Sequence, residues 1–407
     1  MIHLPLAFRF PLSLLAGVAA LLFTASAAHA SPARASRDFI EENLRFAAAQ
    51  YDFMLQHVDP ARGFPRSLEG CQLTFTAPHQ WTSGFFPGSL WMLFEATGDE
   101  KWRKHAEEYT AALESTKAYE RTHDLGFILY CSFGQGWRLT KNPKYREVLL
   151  EGAQTLGSRF DERVGAIKSW DDTKWAFPVI IDNMMNLELL TWAGSHGGPQ
   201  RLGQIAVRHA NTALRDHFRP DGSSFHVVSY VPDSGKVASQ ETHQGCADSS
   251  SWARGQAWAL YGFTMMYRET RIETYRVQAL RVAHFIRTHP RLPEDGVPYW
   301  DFDAPGIPNE PRDSSAAAIM ASALLELATF VDADDARELR DLAERQLLSL
   351  GSESYRAKVG ENGGFLLRHG TGNHPKHSEI DVPLVYGDYY FIEALVRAKN
   401  MLPARGR

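Results

Sequence analysis

Asp182 lies between an apolar run, Phe177-Pro178-Val179-Ile180-Ile181, and a helix-like stretch, Asn183-Met184-Met185-Asn186-Leu187-Glu188-Leu189-Leu190. Two roles compete for that carboxylate. Apolar neighbours desolvate it and raise its pKa, as a general acid requires, whereas the first N–H groups of a helix would use it as a cap and lower the pKa. The sequence leaves both open. His123-Asp124 supplies a second carboxylate with an adjacent imidazole, and Trp252-Ala253-Arg254 places an indole near a planar cation able to grip a carboxylate. Arg254 falls in the first turn of an apolar helix, where a cation opposes the dipole; this points to an external anionic partner, with Asp248 as the internal alternative. His369, His374, His377, Glu379 and Asp381 are irregularly spaced and lack a helical i, i+4 pair, so they read as a ligand-facing loop rather than a metal centre.

The rest of the composition narrows the context. Arg9 is the only charge before an apolar run from Phe10 to Phe23, and Ala28-His29-Ala30 follows. This pattern predicts a signal peptide over 1–30, cleaved before Ser31, and an exported, periplasmic catalytic domain over 31–407. Secretion into the medium is the alternative. No later segment is apolar enough to span a membrane, so no membrane association is expected after signal removal. A net charge of −5 offers no basic footprint for nucleic acid. Three cysteines, Cys71, Cys131 and Cys246, are an odd count that allows at most one bridge and no disulfide framework, and they read as three buried small hydrophobes. Ten tryptophans supply flat faces of the kind on which sugar rings stack.

The elements that must position these residues are helices. Apolar stretches at Phe86–Ala96, Leu125–Leu139, Val179–Ala193, Ala253–Tyr267, Ser315–Phe330 and Tyr389–Ala398 alternate with charged, amphipathic ones. The latter are Ala35–Leu55, Glu100–Glu114, Pro143–Ser158, Gln200–His217, Glu273–Thr288 and Asp334–Leu350. A helix apolar all round is buried, and one with a single apolar stripe faces solvent. Six helical hairpins predict an all-α, single-domain (α/α)6 toroid, with almost no strands. All inner helices then run the same way, and their N-termini share one end of the barrel. His79-Gln80-Trp81, Thr122-His123-Asp124, Asp182-Asn183, Trp252-Ala253-Arg254, Arg312-Asp313-Ser314 and Tyr386-Gly387-Asp388 lie at those starts. Six positive dipole ends converging there suit an anionic substrate.

Five collinear motifs carry a resemblance. They are Trp81-Thr82-Ser83-Gly84-Phe85-Phe86-Pro87-Gly88, His123-Asp124-Leu125-Gly126-Phe127, Asp182-Asn183-Met184-Met185-Asn186, Ser251-Trp252-Ala253-Arg254-Gly255-Gln256-Ala257-Trp258 and Ser378-Glu379-Ile380-Asp381-Val382-Pro383-Leu384. In this order they resemble glycoside hydrolase family 88, the unsaturated glucuronyl hydrolases. The resemblance implies removal of the 4,5-unsaturated uronate that lyases leave on oligosaccharides, by hydration of the C4=C5 vinyl ether, with no metal or organic cofactor. It gives Asp182 the acid/base role and makes Asp124 the second essential aspartate. Trp81, His123, His226, Gln244, Trp252 and Arg254 match substrate-contacting positions, and Trp258 is assigned to the core. Thr371, His374 and Lys376 stand where some members carry a Ser-x-x-Ser-x-Lys pattern for sulfated sugars. Only the lysine is kept, which leaves sulfate tolerance open. An unsaturated rhamnogalacturonyl hydrolase, an inverting glycosidase using Asp124 and Asp182, and a catalytically inactive carbohydrate-binding toroid are the rival readings. The sequence does not fix the oligomeric state.

Overall fold

The computed structural model describes residues 34–171 and 174–403, so the expected signal peptide lies outside the described residues. Outer helices are α1 (Arg37–Leu55), α3 (Glu100–Ala111), α5 (Pro143–Gly157), α7 (Gln200–Asp216), α9 (Glu273–Thr288) and α11 (Ala333–Leu350). Inner helices are α2 (Phe85–Thr97), α4 (a π-helical Gly126–Gly134 continuing into Gln135–Thr140), α6 (Leu187–Ser195), α8 (Ala253–Thr270), α10 (Ser314–Leu327) and α12 (Val385–Met401).

The polar turns start the outer helices as their chemistry dictates. Asp99 accepts from the Lys101 amide, Asn142 from Lys144, and Asp332 from Asp334 and Asp335, each satisfying N–H groups that the helix itself leaves free. Pro143 opens α5, where its missing N–H costs nothing. The inner helices are held by burial instead. Every residue of α10 except Glu326 is buried, and its small Ala316, Ala317 and Ala321 let α8 and α12 approach closely.

Each inner helix packs on the next, from α2 through α4, α6, α8 and α10 to α12, and α12 returns to α2. The ring is closed, as the alternating pattern predicts. Strands are the departure from expectation. Among the described residues, nine short strands sit in the connections, including the hairpin β1–β2 (Phe64–Glu69, Gln72–Thr76) and the two-residue pair β3–β4 (Phe160–Asp161, Ala166–Ile167). An antiparallel sheet joins β5 (Phe177–Ile180), β6 (Val227–Val231) and β7 (Lys236–Glu241), and a last hairpin joins β8 (Gly370–Asn373) to β9 (Ser378–Val382). These pieces are too short to show a period in the sequence. They build the rim above the inner-helix N-termini.

Gly84 shows how tightly the ring is drawn there. A Cβ at this position would lie 2.3 Å from the carbonyl oxygens of both Phe127 and Ile128, which are backbone and cannot swing aside. Gly84→Ala is expected to lower the free energy of unfolding by about 1–3 kcal/mol, the range for overpacking, read from the denaturation midpoint. A neutral effect would contradict this account of the α2–α4 contact.

Candidate active site

The motifs converge on a cavity of about 270 Å³ at the end of the ring where the inner helices begin. Trp81 comes from the turn before α2, His123 and Asp124 from just ahead of α4, and Arg254 from the first turn of α8. Asp182 sits in a 3-10 turn, Ile181–Asn186, that links β5 to α6. Gln244 follows β7, and Lys376 lies between β8 and β9. Seven of the residues expected from sequence therefore line one wall or another: Asp182, Asp124, Trp81, His123, Gln244, Arg254 and Lys376.

Of the two roles open to Asp182, the cap is not taken up. Its side chain caps nothing, since no side-chain cap bond forms at this turn, and Oδ2 is buried without a hydrogen-bond partner. Burial pushes its pKa up to about 7, opposed by the charge of Arg254 and by its own backbone amide, and assisted by the nearby charge of Asp124. The buried Trp258 indole N–H, which makes no hydrogen bond elsewhere, also opposes the rise. Trp258 is thus core by burial, as expected, but it also acts on Asp182. Asp124 is held differently. Asn186 donates to its Oδ1 at 3.4 Å and Thr122 to its Oδ2 at 3.3 Å, while His123 Nε2 lies 3.5 Å from Oδ1. Burial lowers the His123 pKa and favours the neutral ring.

Arg254 has an internal partner, and it is not Asp248. The guanidinium is buried against Asp313 at 3.0 Å and donates to the carbonyls of Thr371 and Gly372, each at 2.5 Å. The Asp248 carboxylate instead accepts from the Thr242 amide. The Nε of Arg254 is buried without a partner, and the residue contributes to the cavity lining.

The other expected contacts are set back. His226 Nδ1 accepts from the amides of His243 and Gln244, at 3.2 and 3.1 Å, which places the ring proton on Nε2, 3.6 Å from Asp182 Oδ2. Burial holds the His226 pKa well below its ordinary value, so the ring is a neutral donor. Trp252 stacks behind it at 4.4 Å and against the Arg254 guanidinium at 4.5 Å rather than lining the cavity. Thr371 supports the floor, with its hydroxyl donating to the Arg312 carbonyl and its own carbonyl taken by Arg254. His374 is turned onto Trp300, with ring centroids 4.1 Å apart and an interplanar angle of 6°, and does not line the cavity.

Several lining residues escaped the sequence reading. Arg66 on β1 forms a two-point pair with Glu379 on β9, at 2.7 and 2.9 Å, across opposite ends of the chain. Trp170, His243, Asn373 and Tyr386 complete the wall. Tyr386 was the one with a signal, since it stands in the cluster at the start of α12. The histidine-rich loop is dispersed: His369 pairs with Asp381 at 2.5 Å, Glu379 with Arg66, and His374 with Trp300. Among the described residues, no group of three or more His, Cys, Asp or Glu is placed to hold a metal ion.

Comparison with known proteins agrees with this geometry. The family model Glycosyl Hydrolase Family 88 matches residues 64–399. The chain is 50% identical over 347 residues to an unsaturated glucuronyl hydrolase of Formosa agariphila, covering 84% of this chain and 86% of that one. It is 33% identical to an unsaturated chondroitin disaccharide hydrolase of Streptococcus pyogenes, covering 78% of this chain and 81% of that one. A crystal structure of an unsaturated glucuronyl hydrolase specific for heparin superposes with a TM-score of 0.88 at 45% identity, over 90% of this chain and 98% of that one. The shared motifs, the closed ring and the extent of these matches establish that this chain belongs to glycoside hydrolase family 88.

Proposed function

We propose that this chain hydrates the C4=C5 double bond of a 4,5-unsaturated glucuronyl residue, with Asp182 as both acid and base. The observation that carries the assignment is the buried, uncapped Asp182 carboxyl with a pKa near 7. An acid must be neutral to protonate carbon and anionic to activate water, and a pKa close to neutrality serves both halves.

The steps are those the family resemblance implies, with the residues of this pocket in the roles. Asp182 gives its proton to C4, and positive charge develops at C5 and the ring oxygen. Water adds at C5 and returns a proton to Asp182. The resulting hemiketal opens, and the remaining saccharide leaves. The Nε2–H of His226 faces Asp182 Oδ2 and stabilises the carboxylate formed in the first half. The charge of Arg254 in the cavity lining attracts the uronate carboxylate, with the inner-helix N-termini adding positive potential. Trp81 and Tyr386, 4.8 Å apart, supply an aromatic wall for the ring. Asp124 raises the Asp182 pKa and accepts from a sugar hydroxyl. The acceptor sugar lies toward Lys376 and Asn373, whose Oδ1 is buried and unpartnered. The greater identity to the heparin-specific enzyme than to the chondroitin disaccharide hydrolase supports a heparin-type acceptor. The leader over 1–30 directs the enzyme out of the cytoplasm, to the periplasm.

Three outcomes test this reading. With lyase-generated unsaturated disaccharides, the ultraviolet absorbance of the conjugated alkene should disappear as the sugars separate, fastest for the heparin type; cleavage of a saturated analogue with an intact alkene would falsify hydration. Asp182→Asn should lower kcat by about 10²–10⁴-fold while substrate still binds, and in the parent enzyme kcat/KM should fall about tenfold per pH unit above about 7 as the acid ionises. The same shift sets a stability signature. A carboxyl that ionises at 3.8 unfolded and about 7 folded makes the native state lose stability as pH rises through that window. Asp182→Asn escapes that loss, so its Tm advantage over the parent should be small at pH 4 and grow by pH 7; a constant difference would remove burial as the cause.

A further inference from the structure

A second cavity, of about 470 Å³, opens where the inner helices end, with Phe127 lining both it and the catalytic pocket. It lies in the usual range of small-molecule sites, about 300–1,000 Å³. Its chemistry differs from that of the catalytic end. Tyr130, Trp137 and Trp192 form an aromatic cluster in its lining, with Trp192 meeting Trp137 at 6.2 Å and Tyr130 at 6.4 Å between ring centroids; Trp192 is itself stacked on His196 at 4.6 Å, so the more exposed indole of Trp137 is the one left for a ligand. The arginines of the lining arrive already paired. Arg138 grips Glu95 at two points. Arg268 joins Glu188, Glu269 and Glu326, and Arg397 joins Glu326 at 2.9 Å and the Tyr261 hydroxyl at 2.9 Å.

Paired planar charges beside aromatic faces select by shape and hydrogen bonding rather than by net charge. Lining carboxylates Glu95, Glu188, Glu269 and Glu393 are matched by Arg138, Lys141, Arg268 and Arg397. An anion would face helix C-termini and carboxylates, and a cation would face arginines that already hold those carboxylates. A neutral ring with an apolar C–H face and a rim of hydroxyls meets neither obstacle. It stacks on indole and exchanges hydrogen bonds with the outer edges of the ion pairs.

We propose that this cavity is a second saccharide site, taking one or two neutral sugar rings. The inference does not depend on the reaction assigned to the other end. The test is saturation-transfer NMR of the intact protein with N-acetylglucosamine and with cellobiose, against Trp137→Ala at this cavity and Trp81→Ala at the catalytic one. Binding should weaken about tenfold in Trp137→Ala, the upper range for one aromatic contact, and persist in Trp81→Ala, with turnover in Trp137→Ala unchanged. Should Trp137→Ala fail to fold, Arg138→Gln on the exposed rim takes its place and should weaken binding in the same direction. No binding at millimolar sugar, binding lost only in Trp81→Ala, or preferential binding of ethanolammonium or inorganic phosphate at this cavity would each overturn the proposal.

Discussion

The buried pairing of Arg254 with Asp313 is the interaction on which the pocket depends. Both side chains are almost wholly removed from solvent, at 1% and 0% exposure, and removal of one partner from such a pair costs on the order of 3–5 kcal/mol. The pair also ties three segments together. Arg254 begins α8, Asp313 caps α10 by accepting from the Ser315 and Ala316 amides, and the guanidinium holds the Thr371 and Gly372 carbonyls of β8. The β8–β9 rim that carries Lys376 is thereby fixed over the helix N-termini. Partial neutralisation has a second effect. Arg254 lowers the Asp182 pKa, and its pairing with Asp313 keeps that influence from outweighing burial.

Two aspartates with the same chemistry are separated by their surroundings. Asp124 receives donors at both oxygens, whereas Asp182 Oδ2 receives none. The Asp182 carboxyl also has a negative neighbour in Asp124, which disfavours a second charge. The neutral histidines extend the same logic. His226 is held by two backbone amides in the tautomer that donates toward Asp182, so it supports the anion without adding a fixed positive charge.

How far the sequence reached followed from the range of each interaction. Helical period and capping are local, and most of the helices and the shared end of the inner ones were legible from them; the stretch read as helix from Val179 is instead strand to Ile180 and 3-10 turn to Asn186, and α6 begins only at Leu187. Asp182 stood out because its apolar flanks, Ile180 and Ile181, are adjacent in the chain. Its freedom from capping was not legible, since a 3-10 turn at Ile181–Asn186 and a helix first turn look alike in sequence. Arg66 and Glu379 are separated by most of the chain and carry no pattern that connects them. The assignment of Arg254 to an external anion or Asp248 passed over Asp313, although that residue opens another inner helix. His374 looked like a ligand for sugar because of its place in a motif; stacking on Trp300 gave it a different neighbour.

The closed ring makes its two ends electrically unlike. N-termini and Arg254 gather at one, where an anionic substrate gains from every helix; C-termini gather at the other, where acidic side chains require guanidinium partners to be buried at all. Arg268 and Arg397 meet that requirement for Glu188, Glu326 and Glu393. Phe127 stands between the two ends, nearly fully buried and packed on Trp81, Phe85 and Trp258. Its ring lines both cavities, an apolar surface shared by the acidic far end and the pocket that holds Asp182, whose carboxyl owes its raised pKa first to burial. Burial of a carboxyl needs apolar neighbours as much as polar ones, and Phe127 belongs to the apolar lining of that pocket although it contributes no polar atom.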